Sequence, residues 1–177
     1  MAVLNKRAVV SAIEMFGRSS IRLPKVLGDS FSTTIRNLFA NNEQGFFYDP
    51  NDLSTMFQDS AGTVDVLLTG QPVAYIKDLS GNNNHATQTN SSIRPLLQSI
   101  PYFLEYDVAD DKLVTNVAST LTNCTIITST RNNPFVVQTG VTIAAGLYEV
   151  KPERALVVIN RPLTALQLIK LEMHFKK

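Results

Sequence analysis

The chain predicts a mainly β fold, an antiparallel β-sandwich (residues 45–177) preceded by a basic N-terminal arm (residues 1–44) and closed by a C-terminal helix. Two observations carry this. From residue 46 onward, short runs rich in Val, Ile, Phe, Tyr and Thr alternate with connectors rich in Asn, Asp, Gly, Ser and Pro, a texture that favours antiparallel sheets over βαβ units. Charge is also unevenly spread. Residues 1–40 hold six bases (Lys6, Arg7, Arg18, Arg22, Lys25, Arg36) against two acids (Glu14, Asp29), and the rest hold ten bases against thirteen acids.

Taken in order, the arm opens with Leu4, Ala8, Ala12 and Met15 at helical spacing, with Val9, Ile13 and Phe16 on an adjoining stripe and Gly17 as a stop. Two readings stand side by side: an arm that docks on another molecule through Lys6, Arg7, Arg18, Arg22 and Lys25, or a leader lying across its own domain. Strands are expected at residues 45–48, 64–68, 72–77, 102–106, 112–115, 124–128, 135–138, 141–144 and 155–159. Asp49-Pro50-Asn51-Asp52 reads as a turn, with Asp52 or Ser54 capping a short helical turn through Leu53, Met56 and Phe57. Ser80-Gly81-Asn82-Asn83-Asn84 reads as a loop, because Asn and Gly tolerate positive φ and Asn bonds its own backbone. The C-terminal helix is capped by Thr164, stapled by Leu163 against Leu168, and carries Leu166, Ile169 and Met173 on one stripe.

At 177 residues and 19.5 kDa the chain fits one domain plus an arm, and 44% apolar residues suffice for a core. A formal charge of +1 predicts neither nucleic-acid nor membrane-surface attraction. Apolar runs fall far short of the ~20 residues that span a bilayer. Asn5, Lys6 and Arg7 interrupt any signal-peptide core, so none is expected. The single cysteine, Cys124, rules out an internal disulfide and reads as a small buried residue.

The run Gly45-Phe46-Phe47-Tyr48-Asp49-Pro50-Asn51-Asp52-Leu53-Ser54-Thr55-Met56-Phe57-Gln58-Asp59 is followed by Gly70-Gln71-Pro72-Val73. Then come Asp78-Leu79-Ser80-Gly81-Asn82-Asn83-Asn84-His85-Ala86-Thr87-Gln88, Arg94-Pro95-Leu96-Leu97 and Leu104-Glu105-Tyr106-Asp107. This string resembles one common in tailed-bacteriophage virion proteins and is similar to concanavalin A-like, laminin-G-like jelly rolls. It departs from that pattern at Phe47, where the family carries Trp, and at Asp107-Val108-Ala109-Asp110-Asp111, which lacks the usual glycine. The resemblance covers residues 45–115 strongly and 150–177 weakly. It implies a trimmed jelly-roll-like sandwich and a structural virion protein, of the assembly, capsid-decoration, tail or baseplate kind. Such a protein is made in the bacterial cytoplasm, carried in the particle in several copies, and partnered by other virion proteins. The alternative it implies is a receptor- or host-glycan-binding module.

Candidate chemistry is sparse. Ca²⁺ could draw on Asp78, Asn82 and Asn84, with Asp107, Asp110 or Asp111 from the next turn, but a single carboxylate in the first loop favours plain turn chemistry. No other cofactor is expected. His85 beside Asp78 lacks a nucleophile elbow and an oxyanion hole, so no catalytic residue is assigned and no enzyme is expected. The spaced acids of concanavalin-like glucanases are missing; Glu105 and Asp107 come nearest and read as a strand edge. Phe46, Phe47, Tyr48, Tyr75 and Tyr102 could stack on sugar rings, but sandwich cores use the same residues and the core reading is preferred; Tyr48, Tyr75 and His85 are the residues expected to face a ligand if one binds. His174 reads as helix surface or rim.

Overall fold

The computed structural model describes residues 31–99, 101–107 and 109–175. The expectations placed on residues 1–30, including Lys6, Arg7, Arg18, Arg22 and Lys25, lie outside the described residues, as does the side chain of His174. The chain runs through α1 (Phe31–Leu38), β1 (Gly45–Tyr48), β2 (Met56–Phe57), β3 (Tyr75–Ile76), β4 (Ala86–Thr87), β5 (Leu96–Gln98) and β6 (Phe103–Glu105). It continues through β7 (Leu113–Val117), β8 (Leu121–Ser129), β9 (Val136–Ile143), β10 (Gly146–Val150), β11 (Ala155–Ile159) and α2 (Ala165–Phe175). No described helix is long and apolar enough to cross a membrane.

All strand pairings are antiparallel. One sheet has the order β1-β11-β8-β9, a second β10-β7-β4-β3-β2, and β5 and β6 form a separate hairpin. The two larger sheets share a core, and strand alternation decides what enters it. In β7, Leu113, Thr115 and Val117 are buried while Val114 and Asn116 point away. From the first sheet Phe46, Tyr48, Ile126, Leu156 and Val158 meet Met56, Ile76, Leu113 and Val117.

The first sheet is covered on its other face too. Phe47, Ile127, Val157 and Ile159 pack there with Ile35, Leu38 and Phe39 from the α1 region and Leu171 and Phe175 from α2. That second cover explains why β1 and β11 are buried at every position. Ile35, Leu38 and Phe39 are core residues, so the described part of the expected arm belongs to the folded unit.

Three local expectations change. Residues 64–68 form no strand beyond a single bridge of Asp65 with Phe57. Backbone bonds to β2 run only from Val64 to Val66 (Gln58 N to Val64 O, 2.8 Å; Val66 N to Met56 O, 3.1 Å), and side chains take the amides on either side: Gln71 Oε1 accepts from those of Leu67 (2.7 Å) and Leu68 (2.8 Å), and Asp59 Oδ1 from those of Thr63 and Val64. The two strands expected at 135–138 and 141–144 are one, β9, which runs through Gly140 at φ 71° with register shifts against β8. Met56 and Phe57 are a short strand rather than a helical turn; the turn is a 3₁₀ segment, Leu53–Thr55, capped by Asp52 Oδ1 accepting from Ser54 N at 3.1 Å.

Candidate functional site

The asparagine-rich loop is built around Asp78. Its buried carboxylate accepts four hydrogen bonds, from the amides of Phe47 (2.9 Å), Ser80 (2.9 Å) and Asn84 (3.0 Å) and from Ser80 Oγ (2.8 Å). Asn82 and Asn84 turn their side-chain amides onto the backbone carbonyl of Gly45, at 3.1 and 2.8 Å. The three residues are thus brought together, but as a clamp on the start of β1. Asp107 and Asp110 are exposed, and buried Asp111 accepts from Asp107 N at 3.1 Å, which organises its own turn. The described residues bring no three His, Cys, Asp or Glu side chains into a metal-holding group.

His85 Nδ1 accepts from Asp78 N at 3.0 Å, and its ring lies 5.4 Å from that of Tyr75. The Asp78 carboxylate therefore orients the loop backbone and leaves the imidazole alone. Tyr48, expected to face a ligand, is fully buried instead; its hydroxyl donates to the Asn84 carbonyl, which also accepts from Thr115 Oγ1. Burial, with a smaller push from the charge of Asp78, holds the Tyr48 phenol well above its ordinary range. Tyr75 is half-buried, with an edge-to-face contact to Phe57. Tyr48 thus belongs to the sandwich interior, whereas Tyr75 and His85 are half-buried and pack on each other, so the three form no common face.

A different place has the makings of a binding site. Phe103, Leu104, Glu105 and Tyr106 from β6 and its exit, Arg131 and Asn132 from the β8–β9 turn, and Glu153 before β11 enclose a cleft of about 330 Å³. A second hollow of about 210 Å³ shares Phe103 and Arg131 and adds Pro101 and Arg154. Backbone bonds fix the walls: Leu104 N donates to Glu153 O at 2.7 Å and Arg154 N to Ser129 O at 3.0 Å. Glu153 Oε1 accepts from Arg131 N at 2.7 Å, and the Arg131 guanidinium lies over the Phe103 ring at 4.5 Å. No described carboxylate or carbonyl accepts from either the Arg131 or the Arg154 guanidinium.

Tyr106 sits at this cleft with its hydroxyl buried and lacking a hydrogen-bond partner among the described residues. Burial, with the charges of Glu153 and Asp111, pushes its phenol far above the ordinary value, so it stays neutral. Glu105 accepts from Gln98 Nε2 at 2.7 Å across the β5–β6 hairpin. Sequence reasoning missed this site because its residues come from three separated segments, none of which carries a local motif.

Large apolar side chains also stand in solvent. Leu67 and Leu68 are 65% and 67% exposed and line a groove of about 410 Å³ with Thr69, Ser99, Pro101 and Tyr102. On α2 the stripe of Leu166, Ile169 and Met173 faces outward: all three are exposed, while Leu171 and Phe175 are buried. Compared with protein-family models, curated proteins and solved structures, the chain gives no match.

Proposed function

We propose that the chain is a structural component of a tailed-bacteriophage virion, an assembly, decoration, tail or baseplate protein that docks on neighbouring virion proteins in several copies. The observation that carries the reading is the set of solvent-facing apolar side chains, Leu67 and Leu68 on one loop and Leu166, Ile169 and Met173 on α2. Surfaces of this kind belong to interfaces more than to free monomers. The motif string supports the same reading, and its polar residues serve the fold: Asp78, Asn82 and Asn84 clamp β1, and Arg94 donates to the carbonyls of Gln58, Thr89 and Gln88. In this reading the protein performs no catalysis.

The test is incorporation. Purified particles of the encoding virus should contain the chain, and a Leu67→Asp/Leu68→Asp variant should fold but be excluded from them. Finding the wild-type chain only outside particles would overturn the proposal. Deleting residues 1–30, which spares Ile35, Leu38 and Phe39, separates a role of the arm from loss of the core.

A second reading, recognition of a host-surface glycan, is favoured by one observation. The Phe103–Glu153 cleft combines carboxylates, an amide and a guanidinium that has no hydrogen-bond acceptor among the described residues, all on fixed backbone, the mix of donors and acceptors that sugar hydroxyls require.

A further inference from the structure

We infer that the paired hollows around Arg131 bind an acidic saccharide, a sugar ring bearing a carboxylate, with the carboxylate between Arg131 and Arg154 and the hydroxyls toward Glu105, Asn132 and Glu153. The inference rests on the glycan-binding reading and names its ligand class.

The smaller hollow supplies the anion site. Arg131 and Arg154 line it with Pro101 and Phe103, and neither guanidinium is spent on a protein acceptor among the described residues. Stacking on Phe103 holds Arg131 flat and leaves its edge N–H groups to donate. Two such forks beside an apolar floor suit a planar carboxylate, which accepts paired N–H bonds.

The larger hollow supplies the rest. Glu105 and Glu153 offer carboxylate oxygens and Asn132 offers both a donor and an acceptor. A ligand that is all anion is disfavoured there, since two carboxylates would repel a phosphate dianion. Hydroxyls donate to those carboxylates and accept from the amide. The two hollows adjoin through Phe103 and Arg131, which line both, so the carboxylate and the hydroxyls of one saccharide fall to neighbouring sites.

The experiment is an amide chemical-shift titration of the full-length protein with sodium glucuronate, glucose, acetate, inorganic phosphate and a short glutamate-containing peptide. Glucuronate should give saturable shifts at Arg131, Asn132, Glu153 and Arg154, and bind at least about tenfold more tightly than any other probe. Arg131→Gln and Arg154→Gln should each weaken it by about tenfold or more; Arg154→Gln, whose guanidinium holds no acceptor among the described residues, should leave the melting temperature unchanged, and Arg131→Gln should lower it only by the loss of the Phe103 stack. Arg36→Gln removes the same charge from an exposed position on α1 and should leave binding as it was.

Equal binding of glucose, untouched by the arginine variants, would overturn the acidic-sugar assignment and leave the glycan reading standing. Acetate, phosphate or the peptide matching glucuronate would reduce the site to a general anion or protein contact and overturn it as well. No saturable shift from either sugar would remove both.

Discussion

Gly45 shows how little room single atoms have in this molecule. Its φ is +145°, and a Cβ placed there would lie 2.0 Å from the carbonyl oxygen of Val158 on the paired strand. Gly45→Ala should therefore cost on the order of 3–5 kcal/mol, enough to unfold a marginally stable domain, and chemical denaturation measures it. Tyr106 is the opposite case. Its buried hydroxyl lacks a partner among the described residues, so Tyr106→Phe removes an unmet polar group without leaving another. The variant should be neutral or more stable by up to about 1 kcal/mol in a urea titration, and a clear loss would mean that the hydroxyl is bonded after all. Neither feature is legible in sequence. Gly45 looks like any strand-end glycine until Val158 is set against it, and Tyr106 like any strand tyrosine.

Among the elements, α2 is where sequence and structure part most usefully. Its start was readable. Thr164 Oγ1 accepts from Gln167 N at 3.3 Å while Gln167 Oε1 accepts from Thr164 N at 3.0 Å, a reciprocal cap, and Leu163 and Leu168 pack against the same core. Its buried face was not. Apolar residues ring most of the helix, and periodicity cannot say which stripe meets the sheet. Leu171→Ala should cost about 2–5 kcal/mol, whereas Ile169→Gln should change stability by no more than about 0.5 kcal/mol. Paired thermal melts check this, and a large loss at Ile169 would show that the outward stripe is covered within the monomer. The loop at residues 64–68 fails for another reason. Its β-prone residues pair with β2 only around Asp65, because Asp59 takes the amides of Thr63 and Val64 and Gln71 those of Leu67 and Leu68.

At the scale of the whole molecule, Arg161 ties distant parts together. Its Nε donates to Glu43 Oε1 at 3.1 Å, one terminal nitrogen to Leu38 O at the end of α1, and the other to Gln167 Oε1 near the start of α2. Partial burial pushes the Glu43 carboxyl up, but hydrogen bonds from Asn41 and the charge of Arg161 outweigh it and hold it below its ordinary 4.5. A carboxyl lowered on folding contributes stability that is full above its unfolded value and lost as pH falls through the folded one. The difference in melting temperature between wild type and Glu43→Gln should thus be widest near neutrality and shrink below about pH 4.5. A difference that does not change with pH would overturn the assignment. Asp49 is shifted the other way by burial, but it is common to both proteins and cancels in the comparison.

What the chain determined alone was local. Alternation and β-branched runs marked most of the longer strands, asparagine and aspartate marked their turns, and Thr164 marked the helix start, because each depends on neighbours a few residues away. Packing decided the rest. The order β1-β11-β8-β9, the helices over that sheet, the burial of Tyr48, and the meeting of Phe103, Arg131, Glu153 and Arg154 all join residues far apart in sequence. Such contacts are set by which apolar faces close on one another, and a linear pattern holds no record of that choice.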